Sequence, residues 1–252
     1  MKYKLALIGS PVCHSKSPDI YAKIFRDNRV DGSFTVFDLK NTENVRDLMQ
    51  KAGIDAFAVT MPHKRSIIAE LDQIDTAAKE LESVNFVTIK DGVFKGYTTD
   101  GEGFCRGLAR SGIDCMGKSV LIYGTGGAAS SVCYSLKKHN ANVSVCGRTD
   151  SHVRAFCEKY GTVPDKLINA GRYDIFINAT PLGMTADFEN FDFLTGESVP
   201  LCVCDLVYSP ARTRLTAFAE NHGISAINGL PMLHEQAQLA FEILSGESLS
   251  DD

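Results

Sequence analysis

The stretch that decides the reading runs Ser119-Val120-Leu121-Ile122-Tyr123-Gly124-Thr125-Gly126-Gly127-Ala128-Ala129. The apolar run from Ser119 to Tyr123 predicts a strand. From Gly126 to His139 the pattern turns helical, so the glycines stand at a strand–turn–helix junction. In that setting Gly124 to Ala129 satisfy the Gly-x-Gly-x-x-Ala fingerprint of dinucleotide binding. Gly124 permits the tight turn, Gly126 lets backbone approach a pyrophosphate, and Ala129 keeps the helix close to the sheet. The amides at the helix start, among them those of Gly127 and Ala128, then face the phosphates. An ordinary βα turn is the plainer alternative.

Downstream, Asn142 to Cys146 reads as the next strand, ending in Gly147-Arg148-Thr149. A site built for NAD would carry an acid at this tip, roughly 20 residues on from the glycines. None is present. Arg148 instead offers a planar fork suited to a 2′-phosphate, with Thr149 donating a hydroxyl and Arg154 or His152 adding charge. The expectation is NADP, against which only the neighbouring Asp150 weighs. Further strands are expected at 173–178 and 199–205, with helices at 151–160, 212–221 and 232–244. Asn178 and Thr180 sit at a strand end, where they shape a nicotinamide pocket or simply a turn.

Upstream, strands at 4–8, 34–37 and 56–60 alternate with helical patterns at 18–28 and 42–52, which predicts βαβ units and a parallel sheet. A helix over 71–82 follows, then two short strands, 83–89 and 93–96, around the Asp91-Gly92 turn, and a helix over 100–111. Two successive α/β halves imply two domains that meet near residue 100, with a cleft between them as the natural ligand site.

Composition narrows the function classes. Of 252 residues, 44% are hydrophobic and 23% charged, as in ordinary soluble proteins. A formal net charge of -5 argues against nucleic acid as a partner. The apolar run in MKYKLALIGS is too short for a leader and reads as a buried strand, and no stretch approaches the roughly 20 apolar residues of a membrane helix. The eight cysteines, from Cys13 to Cys204, include no Cys-x-x-Cys pair. They read as buried thiols in a reducing cytoplasm, with no metal site expected. The sequence leaves monomer or homodimer open.

Three motifs remain in the first half. His14-Ser15-Lys16-Ser17-Pro18 precedes a helix, where Ser17 is most simply an N-cap. Val59-Thr60-Met61-Pro62-His63-Lys64 puts a lysine just beyond a strand's C-terminal end, where open α/β sheets place ligands. Thr98-Thr99-Asp100-Gly101 opens the helix near the crossing point.

Taken in order with Val84-Asn85, the glycine motif, Arg148-Thr149, Asn178-Ala179-Thr180-Pro181-Leu182-Gly183 and Asn228-Gly229-Leu230-Pro231-Met232-Leu233, these segments resemble the signatures of the shikimate dehydrogenase family. The resemblance spans Gly9 to Gln236. It implies an NADP-dependent interconversion of 3-dehydroshikimate and shikimate, a small-molecule substrate of chorismate biosynthesis. It also implies the fold class: two α/β domains, an N-terminal substrate-binding domain over 1–100 and a Rossmann-type NADP-binding domain over 101–231. The closing helix, about 232–252, is implied to return to the first. Ser15 and Ser17 match the serines that bind the substrate carboxylate. Thr60, Lys64, Asn85, Asp100 and Gln236 match residues holding ring hydroxyls, and Lys64 with Asp100 matches the catalytic pair. Tyr208 matches a tyrosine near the substrate, while Gly229 and Met232 match the chain beside the nicotinamide. The chemistry agrees, because reducing a ketone needs a cationic donor for the developing alkoxide, and a lysine ammonium is one.

The pattern departs at three places. Ala58 stands where the family usually has asparagine, Ser83-Val84-Asn85-Phe86 replaces Ala-Val-Asn-Thr, and Thr98 replaces an asparagine. Positions 58 and 60 face the same side of a strand, so one amide contact to the substrate is expected to be missing. The competing readings are a quinate or related-analogue dehydrogenase using NAD, a non-catalytic dinucleotide-binding sensor, and another two-domain dehydrogenase such as those acting on folates. Retention of Lys64 and Asp100 speaks against the sensor.

Overall fold

The apolar N-terminal run forms β1 (Lys2–Gly9), in which Leu5, Ala6, Leu7 and Ile8 are all buried. Burial of consecutive residues is what a strand covered on both faces requires. The structure is a computed structural model that describes residues 2–12, 15–184, 186–196 and 198–246. After β1 come α1 (Ser17–Asp27), β2 (Asp31–Asp38), α2 (Val45–Ala52) and β3 (Ala56–Val59). β4 (Gln73–Ile74), α3 (Thr76–Leu81), β5 (Phe86–Lys90) and β6 (Val93–Tyr97) complete the first sheet, whose order is β2-β1-β3-β5-β6-β4.

This sheet is mixed, not wholly parallel. β1 runs parallel to β2 and β3, whereas β5 pairs antiparallel with both β3 and β6. The β5–β6 hairpin turns at Asp91 (φ 52°) and Gly92 (φ 78°), the paired positive angles that a two-residue turn demands. One face packs Leu5, Ala56 and Phe86 against Tyr21, Ile24 and Phe25 of α1 and against Ala237, Ala240 and Phe241. The other packs Ala6, Ile8, Phe57 and Val59 against Val45 and Met49 of α2.

The helix expected over 71–82 is confined to α3. Asp75 caps it by accepting from the Ala78 N–H at 2.6 Å. Ahead of that cap, Gln73 and Ile74 pair with Lys95 and Gly96, and the Asp72 carboxylate accepts from the Phe94 N–H. A long-range sheet partner has overridden the local helical spacing.

The second sheet is built from β7 (Ser119–Tyr123), β8 (Asn142–Cys146), β9 (Val163–Pro164), β10 (Ile175–Asn178), β11 (Cys202–Asp205) and β12 (Ser225–Ile227). α4 (Asp100–Arg110) precedes it, and α5 (Gly127–Lys138), α6 (Asp150–Tyr160) and α7 (Arg214–Asn221) connect its strands, with α8 (Leu230–Ser245) following. All its pairings are parallel, in the order β12-β11-β10-β7-β8-β9. Counted from β7, that is the doubly wound 3-2-1-4-5-6 arrangement, with its switch point between β7 and β10.

The chain divides into one compact unit of Met1–Thr99 with Ala237–Asp252 and another of Asp100–Gln236. Asp100 and residues 232–236, which the family resemblance implied to lie with the first domain, group with the second unit. The reason is local: Gly103 and Gly107 of α4 lie directly against Gln236 and Met232. No helix among the described residues is long and apolar enough to cross a membrane. Seven cysteines are free and buried, while Cys13 lies outside the described residues.

Candidate active site

At the end of β7 the chain turns sharply through Gly124, whose φ is 126°. A Cβ there would sit 2.9 Å from the Ala179 carbonyl oxygen after β10, so only glycine fits at the switch point. The next residues behave differently. Gly126 and Gly127 are exposed, and a Cβ on either would meet nothing within 4 Å. Ala128 is also exposed, whereas Ala129 is fully buried against the sheet. The start of α5 therefore presents bare backbone amides to open space, the cradle a pyrophosphate needs. These residues fit a dinucleotide.

Thr149 caps α6 by position only: its side chain makes no bond to the helix. Arg148 and Arg154 are both exposed, and neither is in an ion pair among the described residues. A hydroxyl and a cation at the tip of β8, with Arg154 exposed on α6, suit a phosphate more than a bare ribose. Asp150 occupies the first turn of α6.

Asn178 is fully buried, and its polar atoms are committed to the protein. Its Nδ2 donates to the Leu182 carbonyl and to Asp205 Oδ1, both at 2.9 Å, while its Oδ1 accepts from the Thr180 hydroxyl at 2.6 Å and the Thr180 N–H at 3.1 Å. Asp205 accepts further from the Thr213 hydroxyl at 2.7 Å and the Val207 N–H at 3.1 Å. Burial pushes the Asp205 carboxyl above the usual range, against the pull of these donors. Of the two readings of Asn178 and Thr180, turn-building is the one their bonds describe. Sequence reasoning missed Asp205 and Thr213, although an acid ending an apolar strand was a signal of a buried acceptor.

Around β1, β3 and β5 the first unit carries the polar set. Ser17 is not an N-cap: Lys16 holds that position, and the Ser15 hydroxyl accepts from the Ser17 N–H at 3.2 Å. The two hydroxyls stand 3.1 Å apart, and both residues are half-buried. Thr60 and Lys64, also half-buried, follow the C-terminal end of β3, and the Lys64 carbonyl accepts from the Val84 N–H at 2.8 Å. His63 is buried, with Nε2 2.6 Å from the Leu39 carbonyl oxygen, which makes it structural. His14 lies outside the described residues.

Asn85 is buried and grips the chain just before Asp100. Its Oδ1 accepts from the Thr99 N–H at 2.8 Å, and its Nδ2 donates to the Thr99 hydroxyl at 3.0 Å. Ala58 pairs across the sheet with Phe86, which is 1% exposed, so the two departures from the family pattern face each other.

In the second unit Asp100 is the first residue of α4, half-buried. Tyr208, half-buried, follows β11. Gly229 is tightly enclosed, since a Cβ would lie 2.1 Å from the Leu206 carbonyl oxygen. Met232 packs on the core of this unit, and Gln236 donates through Nε2 to the Leu233 carbonyl at 3.0 Å. Among the described residues no three His, Cys, Asp or Glu side chains form a metal-ion cluster.

The family model for the shikimate dehydrogenase substrate binding domain matches residues 7–87. The chain is 36% identical to shikimate dehydrogenase (NADP(+)) of Alkaliphilus metalliredigens, over 97% of this chain and 92% of that protein. It is also 36% identical to the enzyme of the same name from Pyrococcus abyssi, covering 95% and 91%. The solved structure of Thermus thermophilus shikimate 5-dehydrogenase with NADP(H) and shikimate superposes with a TM-score of 0.88 at 29% identity, covering 97% of this chain and 94% of that one. With likeness running through both sheets at this level, the chain belongs to the shikimate dehydrogenase family.

Proposed function

We propose that this protein is an NADP-dependent shikimate dehydrogenase, which reversibly reduces 3-dehydroshikimate to shikimate. The observation that carries the reading is the near full-length similarity to relatives named for that activity and that cofactor. The exposed glycine cradle after β7 and the exposed Arg148 are its counterparts in the fold.

In this reading the amides of Gly126, Gly127 and Ala128 hold the pyrophosphate, and Arg148 with Thr149 and Arg154 takes the 2′-phosphate. Gly229 and Met232 line the nicotinamide side, and that ring, when bound, supplies the hydride. Ser15 and Ser17 donate their hydroxyls to the substrate carboxylate. Thr60, Gln236 and Tyr208 bond the ring, and Asn85 acts at least through Thr99. The Lys64 ammonium stabilises negative charge on the reacting oxygen and delivers the proton from Nζ. Asp100 accepts from the neighbouring substrate hydroxyl. Seven buried, unpaired thiols suit a reducing compartment, so we place the enzyme in the cytoplasm. Its partner is the small-molecule substrate, with no nucleic acid, and it works as a monomer or homodimer.

The test follows nicotinamide absorbance with shikimate or quinate, each offered with NADP or NAD. Shikimate oxidation with NADP is expected, and Lys64→Ala should lower turnover by roughly 10² or more while leaving NADP affinity nearly unchanged. Turnover only with quinate or NAD would replace the substrate or the cofactor in this reading. Near-normal turnover in the variant would remove Lys64 from its role.

A further inference from the structure

We propose that the ion pair between Arg110 and Glu235 is a positioning device that sets the register of α8 on α4, and with it the placement of Met232 and Gln236. The inference starts from a stripe on α4. Asp100, Gly103, Gly107 and Arg110 are spaced by three, four and three residues, which at about 100° per residue places them within about 80° of one another. Two of the four have no side chain. A Cβ at Gly103 would lie 2.6 Å from the Gln236 nitrogen, and one at Gly107 would lie 3.1 Å from the Met232 nitrogen. The helices are thus in contact at backbone level beside two residues of the proposed site.

Bare glycine fixes how close two helices come but offers no knob to stop one sliding along the other. At the end of the same stripe stands an ion pair that can. Arg110 Nε is 3.1 Å from Glu235 Oε1, and the Glu235 side chain is only 3% exposed. His234 Nδ1 lies 3.5 Å from the same oxygen. A carboxylate buried this deeply is costly unless paired, and its best-attested use is to specify register. Arg110, 69% exposed, remains largely solvated, so the pair offsets the burial of Glu235 more than it adds net stability. What it adds is direction: Glu235 neighbours Gln236 and lies one helical turn from Met232.

The proposal rests on the dehydrogenase reading for its effect on activity but not for its structural part, so two measurements separate them. In methyl NMR of the unliganded protein, the Met232 resonance, assigned with Met232→Leu, is expected to move in both Arg110→Ala and Glu235→Gln and to return in Arg110→Lys. In steady-state kinetics with shikimate and NADP, Arg110→Ala and Glu235→Gln should each lose roughly tenfold in kcat/KM, with Arg110→Lys recovering most of it. A Met232 signal that stays in place in both folded variants overturns the register role, as does kcat/KM within twofold of the parent. If the parent itself does not turn over shikimate, the dehydrogenase reading fails while the methyl signal still decides the register. Should Arg110→Ala not fold, Glu235→Gln alone carries both readouts.

Discussion

The strand ends of the two units commit their polar side chains to different degrees. In the second unit Asn178 and Asp205 are fully buried, and together with Thr213 they satisfy one another. In the first, Asn85 and Thr99 are spent on each other in the same way, whereas Thr60 and Lys64 after β3 are half-buried and the Thr98 hydroxyl after β6 is buried without a hydrogen-bond partner among the described residues. A polar residue at a strand end is therefore not in itself a ligand group. Whether its donors and acceptors are already spent decides what it can do, and in the second unit the groups left open are the backbone amides after Gly124 and the exposed Arg148 and Arg154.

The hardest blow to this contrast is Asp205→Ala, which leaves the Thr213 hydroxyl, the Asn178 amide and the Val207 N–H short of an acceptor. It should cost about 3 kcal/mol in urea unfolding; a cost under about 1 kcal/mol would show that the network does not hold these loops. Gly126→Val fills open space without touching the fold, so NADP binding measured by calorimetry should weaken roughly tenfold, about 1.4 kcal/mol. Unaltered affinity would mean the dinucleotide does not cross that glycine. Tyr21→Phe removes a fully buried hydroxyl with no partner among the described residues and should raise stability by about 1 kcal/mol. A loss would reveal a bond that the Tyr21 hydroxyl does make.

The smallest effect is expected at Asp174, whose carboxylate accepts from the Ser119 N–H and hydroxyl, both at 2.8 Å, at the start of β7. Those bonds hold its pKa below the ordinary 3.8. A carboxyl depressed on folding adds stability above its unfolded pKa and loses it as pH falls through the folded value. Asp174→Asn should then cost under about 1 kcal/mol at pH 7, and the gap from the parent should close below about pH 4. A gap independent of pH would assign the effect to packing.

How far the sequence could be read follows the same line. β7 and β8 fall where their apolar runs predict them, because buried central strands carry a strong local signal. Three short edge strands were not foreseen. β4, β9 and β12 have two or three residues each and include Gln73, Pro164 and Ser225, so nothing local distinguishes them from loop. Their pairing partners, distant in sequence, make them strands. Within the site, residue types and strand ends were legible, and so was the glycine turn. The burial of Asn178 was not, nor was the role of Ser15 in bonding the Ser17 amide, since both depend on which neighbour arrives in space.

The core that joins Leu5, Tyr21 and Phe86 to Ala237, Ala240 and Phe241 also fixes an order of events in synthesis. A ribosome delivers β1 before α8, so the first unit's strands emerge with one wall still to come. The second unit, Asp100–Gln236, is encoded between the two parts of the first. The first unit therefore completes its core late: the apolar face made by Leu5, Ala56 and Phe86 stays open to water until Ala237, Ala240 and Phe241 arrive.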